Sequence, residues 1–203
     1  MKMYFEKLMK ECPLIAILRG ITTPEVPAVC DVLYRSGIRL LEIPLNSPDP
    51  YNSIAAAAAH CGDRMMVGAG TVLIAEQIQL VAAAGGKFII SPNTDASVIQ
   101  ETKRQQLISI PGFFTATEGF AALHAGADYL KLFPANLGAS YVRDLKAVIK
   151  APILAVGGVN AQNLPDFMKV CVGAGIGSAV YKAGKTIEEI ETAARTLVQS
   201  LEK

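Results

Sequence analysis

Eight short apolar runs rich in Ile, Leu and Val recur along the chain, and a helical stretch follows each of them. The runs are LIAILR (14–19), LLEIPL (40–45), MMVGAG (65–70), KFIIS (87–91), LISIPG (107–112), YLKLF (129–133), ILAVGG (153–158) and GAGIGSAV (173–180). After them, apolar residues fall at spacings of three and four over 24–36, 51–60, 75–84, 95–105, 117–125, 139–149, 162–170 and 186–202. That spacing is the period of a helix with one face against a core. Strands that are apolar on both faces and alternate with helices predict a parallel sheet buried under its own crossovers. Eight such units close into a (β/α)8 TIM barrel. At about 25 residues per unit the barrel is tight, leaving room for little beyond a short N-terminal helix over 2–10, and residues 1–203 read as one domain. Helix punctuation agrees. Thr23 precedes Pro24, Ser53 and Asp95 stand near expected helix starts, and Gly37, Gly62, Gly85 and Gly126 follow expected helix ends.

Composition narrows the partners. The 19 basic and 18 acidic residues are scattered, with no basic stripe of the kind a phosphodiester backbone selects, so nucleic acid is not an expected partner. Cys12, Cys30, Cys61 and Cys171 form no C-x-x-C, and reduced thiols in a cytoplasmic protein are the simplest reading. The N-terminus MKMYFEKLMKECP is charged throughout, and no apolar segment is long enough to span a bilayer, so neither secretion nor a membrane partner is expected.

In a barrel of this kind the reactive groups come from the carboxyl ends of the strands and the loops after them. Arg19 ends the first run, Glu42 lies in the second and Lys131 in the sixth; ionisable residues are otherwise rare within the runs. Side chains alternate along a strand, so Tyr129, Lys131 and Phe133 share one face while Leu130 and Leu132 take the other. With the leucines under helices, Lys131 points into the barrel. The same parity turns Glu42 inward with Leu40 and Pro44. An ammonium among apolar atoms is disfavoured, and its pKa falls from a reference of about 10.4. The neutral amine attacks a ketone, and the iminium that results is an electron sink for making or breaking a C–C bond, which is Schiff-base aldolase chemistry. Protons must also be shuttled. His60 and His124, the chain's two histidines, fall in outer helices, so Glu42 is the candidate acid/base.

A competing reading makes Lys131 and Glu42 a structural ion pair. Buried pairs contribute weakly to stability and perturbed titratable groups gather at active sites, so the functional reading is preferred. Arg19, at the same rim, offers a two-pronged grip for a carboxylate, and Thr71 a hydroxyl for that carboxylate or for the carbonyl. GGV (157–159) and GIGS (175–178) are glycine-rich ends on consecutive strands, where such barrels often hold a phosphate. Neither fits a nucleotide-binding motif, and no ligand cluster for a metal is visible, so no cofactor is expected.

Taken together and in order, LIAILRGI, LEIPLNSP, VGAGTVL, ISPN, PGFFTATE, DYLKLFPA and AVGGV resemble the 2-keto-3-deoxy-6-phosphogluconate and -galactonate aldolases over practically the whole chain. The resemblance implies a class I lyase and a homotrimer. It implies cleavage of a phosphorylated keto-deoxy sugar acid into pyruvate and glyceraldehyde 3-phosphate. By motif, Lys131 is the imine-forming residue and Glu42 the acid/base. Arg19 and Thr71 hold the pyruvyl carboxylate, Pro92 and Phe133 line the pocket, and Gly157, Gly158, Gly177 and Ser178 take the phosphate. Gluconate-specific members typically carry TLRT after the glutamate and a threonine before the paired glycines. This chain instead has PLNSP at 44–48 and Val156 before Gly157, features of the galactonate branch, which differs in configuration at C4. Asn46 and Ser47 then become possible substrate contacts. The alternatives are the gluconate substrate, a metal-dependent phosphosugar isomerase or epimerase on a related barrel, and a non-catalytic phosphosugar-binding protein.

Overall fold

Pro111 explains the main difference between the expected and the observed strands. In the computed structural model, which describes residues 1–202, the run expected at 107–112 is two strands, β5 (Ile108–Ile110) and β6 (Gly112–Phe113). Proline has no N–H to give to a ladder, so the strand breaks there. Before the break lie β1 (Leu14–Ile17), β2 (Leu40–Pro44), β3 (Met66–Gly70) and β4 (Phe88–Ile90); after it come β7 (Leu130–Leu132), β8 (Ile153–Val156) and β9 (Gly173–Ile176). The order is β5-β4-β3-β2-β1-β9-β8-β7-β6, and every paired neighbour is parallel. Tyr129 N donates to Ser109 O at 3.2 Å and Lys131 N to Pro111 O at 2.9 Å. Both halves of the broken strand are therefore tied to β7, and the ring closes as a (β/α)8-type barrel.

The helices are α1 (Lys2–Glu11), α2 (Val26–Arg35), α3 (Pro50–Cys61), α4 (Glu76–Ala83) and α5 (Ala96–Arg104), then α6 (Ala116–His124), α7 (Gly138–Lys146), α8 (Leu164–Met168) and α9 (Ile187–Gln199). Asp95 caps α5, its carboxylate accepting from Ser97 N at 2.8 Å and Val98 N at 3.2 Å. Ser53 does not start a helix. Pro50, whose fixed φ suits a first helical position, begins α3 three residues earlier, and the buried Ser53 hydroxyl lies 2.9 Å from Thr23 Oγ1. The four glycines expected after helices all have positive φ, which glycine adopts without a side-chain penalty.

Alternation along the strands produces two cores. Ile15, Leu40, Met66, Phe88, Ile108, Tyr129 and Leu154 fill the barrel interior, whereas Leu41, Ile43, Leu130 and Leu132 pack outward in the layer that holds the helices. The interior residues sit at or next to the amino ends of their strands, and α1 plugs that end with Phe5, Leu8 and Met9. The Phe5 ring meets Phe88 at 5.6 Å and Tyr129 at 5.1 Å between centroids. Truncating a fully buried phenylalanine removes its transfer free energy and leaves a cavity. Phe5→Ala is thus expected to lose about 3–5 kcal/mol in urea unfolding while leaving turnover per folded molecule unchanged, since the plug lies at the opposite end from the reactive groups.

Candidate active site

Lys131 is the middle residue of β7, and the two leucines flanking it are held in the outer layer. Its side chain therefore enters the barrel, where 6% of the residue is exposed. Glu42, 2% exposed, enters from β2. In the ring, β1, β9 and β8 separate β2 from β7, so the two side chains come from opposite walls and face one space. Burial drives Lys131 down to about 8; the Glu42 charge opposes this and Arg19 adds to it. Burial likewise drives Glu42 up to about 7, against the pull of Lys131 and Arg19. Each neutral form is thereby accessible near neutral pH, the condition for an amine nucleophile beside a carboxylic acid.

The ion-pair reading does not describe this geometry. Among the described residues no direct ion pair joins Lys131 to Glu42; Glu42 Oε2 is buried with no hydrogen-bond partner, and Lys131 Nζ lies 4.5 Å from the Phe133 ring centroid. An orphaned buried carboxylate oxygen is destabilising and calls for a reason beyond packing.

At the rim, Arg19 follows β1 and its Nη1 donates to Asn46 Oδ1 at 2.6 Å and to Thr71 Oγ1 at 3.4 Å. Thr71 has φ 54°, an uncommon and strained conformation for a β-branched residue. It brings the hydroxyl to the guanidinium. Ser47 is buried and accepts from Gly20 N at 2.9 Å. It braces the loop after β1 and is not among the residues lining the cavity, while Asn46 holds the arginine.

A cavity of about 550 Å³ opens at the carboxyl ends of the strands. Arg19, Glu42, Lys131 and Phe133 line one part of it. Val156, Gly157, Gly158, Gly177 and Ser178 line another. None of the backbone N–H groups of Gly158, Gly177 and Ser178 donates a hydrogen bond among the described residues, so these donors are free for an anion. Two expected residues stand apart from the wall. Thr71 reaches the site through Arg19, and Pro92 packs behind Gly112, where an added Cβ would lie 2.2 Å from the Pro92 oxygen.

Ile17, Asn160, Tyr181 and Lys182 also line the cavity and were not singled out in the sequence. Strand parity could have found Ile17, which alternates with Ile15 and Arg19. Lys182 had a weaker signal, as a cation four residues past the glycine-rich end; a turn closed by Tyr181 N to Gly177 O at 3.0 Å brings it round. Among the described residues, no group of three or more His, Cys, Asp or Glu side chains is placed to hold a metal ion.

A parallel barrel with a desolvated lysine facing a desolvated glutamate, beside free backbone donors, has the architecture of a carbonyl-converting (β/α)8 enzyme. The chain matches the family model described as KDPG and KHG aldolase over residues 5–196, and it belongs to that family. It is 43% identical over 192 residues to the 2-dehydro-3-deoxy-6-phosphogalactonate aldolase of Escherichia coli (strain K12), covering 93% of this chain and 94% of that one. Against the probable 2-dehydro-3-deoxy-6-phosphogalactonate aldolase of Rhizobium meliloti (strain 1021) it is 41% identical, covering 89% and 87%. The solved native KDPGal structure superposes with a TM-score of 0.92 at 41% identity, covering 95% of each chain.

Proposed function

We propose that this chain, acting as one catalytic domain, is a class I aldolase that reversibly cleaves 2-dehydro-3-deoxy-6-phosphogalactonate into pyruvate and D-glyceraldehyde 3-phosphate. The observation that carries the reading is the buried Lys131 amine, its pKa lowered by desolvation, facing the buried Glu42 carboxyl in one cavity. The Lys131 amine adds to the C2 ketone while the Glu42 acid protonates the oxygen, and loss of water leaves an iminium. Glu42, now a carboxylate, takes the proton of the C4 hydroxyl. The C3–C4 bond breaks, its electron pair moves into the iminium to give an enamine, and the aldehyde departs. Protonation of C3 by Glu42 and hydrolysis of the imine release pyruvate and free Lys131.

Arg19, with Thr71 behind it, suits the substrate carboxylate, a planar anion that a guanidinium grips in two places. Phe133 walls the reacting carbons. Gly157, Gly158, Gly177 and Ser178 suit the phosphate, and Lys182 supplies the cation on that loop. Lys182→Ala is expected to raise KM for the phosphorylated substrate about tenfold, the equivalent of one charge-assisted contact. It should leave kcat and the rate of borohydride trapping of pyruvate unchanged. Steady-state assays at low and high salt check this, because removing the cation also flattens the salt dependence.

The galactonate assignment rests on the two relatives above 40% identity, on PLNSP at 44–48 and on Val156 beside the glycine pair. Pyruvate release from the two C4 epimers, measured with one enzyme preparation, tests it. Faster turnover of the galactonate epimer is expected, and the reverse order would assign the gluconate substrate. Val156→Thr should shift the ratio toward the gluconate epimer.

The proposal extends to assembly and place. Leu73 and Ile74, after β3, and Leu137, after β7, are 48%, 53% and 52% exposed on the end of the barrel that bears the cavity. Apolar surface there suits a homotrimer, which sedimentation would detect as three chains. Four free buried thiols suit a cytoplasmic location, and among the described residues no helix is long and apolar enough to cross a membrane.

A further inference from the structure

The inward face of β3 is nearly bare. Met66 is followed on that face by Gly68 and Gly70, and neither glycine has the positive φ that would demand glycine for backbone reasons. Space is the remaining reason, and the two recesses have different occupants. A Cβ added to Gly68 would lie 2.3 Å from Phe88 Cδ2. One added to Gly70 would lie 1.8 Å from Glu42 Oε2, 2.2 Å from Cδ and 2.4 Å from Oε1. Both carboxylate oxygens of Glu42 thus rest against a strand position that only glycine leaves open.

We propose that Gly70 is a positioning residue for the reaction: its missing side chain forms the recess that fixes the Glu42 carboxylate in its reactive orientation. The inference rests on the reading of Glu42 as the acid/base. Carboxylates are commonly oriented by donated hydrogen bonds, but such bonds stabilise the anion and make the group more acidic. Glu42 Oε2 has no such partner among the described residues. A recess orients the group by shape alone and leaves its proton affinity high, as proton transfer near neutral pH requires.

Gly70→Ala tests this. Displacing a reacting group by about 1 Å lowers rate on the order of 100-fold, and that loss in kcat is expected, with the pH optimum displaced because the carboxyl has moved. Lys131 should still be trapped by pyruvate and borohydride. Adding Gly70→Ala to Glu42→Gln should reduce kcat by less than about threefold more, because the group being oriented is already gone. In a Glu42→Ala background, which empties the recess, Gly70→Ala should cost no stability, whereas Gly68→Ala should lower the urea midpoint equally in both backgrounds. If Gly70→Ala alone fails to fold, a folded Glu42→Ala/Gly70→Ala double variant supports the recess. The inference is overturned by kcat within threefold of wild type, by a loss that multiplies fully with Glu42→Gln, or by a stability cost that persists without the glutamate. Wild-type turnover in Glu42→Gln would instead overturn the acid/base reading beneath it.

Discussion

Lys131→Ala is expected to abolish aldol cleavage, with kcat falling on the order of 10⁴-fold or more, the scale seen when a covalent nucleophile is removed. The loss is that large because no other group in the cavity forms an imine. Arg19 carries a guanidinium and not an amine, and Lys182 lies exposed on the loop after β9. Incubating the wild type with pyruvate and borohydride should reduce the iminium to a stable secondary amine, and peptide mapping should place it on Lys131. The alanine variant should take up nothing. An unmodified Lys131 in the wild type, with turnover insensitive to borohydride, would sink the Schiff-base mechanism and return the isomerase reading. Correct folding of the variant is readily verified, because Leu130 and Leu132 in the outer layer and the Phe5 plug are untouched.

The second large effect is on pH dependence. Lys131 and Glu42 share a space, so their titrations belong to the pair, with steps at about 7 and about 8. The reactive form carries one proton, on the carboxyl, with the amine neutral. Below about 7 the pair takes a second proton and the amine is lost as a nucleophile; above about 8 it loses the first and the acid is gone. A bell-shaped kcat/KM with its optimum in that narrow interval is expected. Glu42→Gln should lower kcat by about 10²- to 10⁴-fold, the usual range for a general acid or base. It should also remove the alkaline limb. The sign of the remaining shift is fixed by the charges: the glutamate raises the lysine pKa, so without it the amine titrates lower. The rate of pyruvate trapping against pH should then show one rise, centred below about 8, with no alkaline limb. A midpoint above about 8, or a profile that keeps both limbs, would contradict the coupling.

How much of this was legible in the residues follows from which interactions are local. Leu130 and Leu132 around Lys131 sufficed to turn the amine inward, because alternation along a strand is a property of the backbone. Glu42 was oriented by the same parity. The helix expected from residue 51 begins one residue earlier, at Pro50, and Ser53, which stood near that start, spends its hydroxyl on Thr23 and not on a cap. The bond that Ser47 accepts from Gly20 N was not legible, because it joins the loops after β1 and β2.

Patterning with periods of two and 3.6 by itself determined the eight strand–helix units, the inward face of each strand and hence the burial of one lysine and one glutamate, since these depend only on neighbours along the chain. Tertiary structure alone decided that the two groups meet. They lie 89 residues apart on strands at opposite sides of the ring, and only its closure through the split at Pro111 sets them across one cavity. Pairing of neighbouring strands laid the glutamate over Gly70 and set Asn46 against Arg19. Contacts of that kind depend on the shear and curvature of the whole barrel, which no local period encodes.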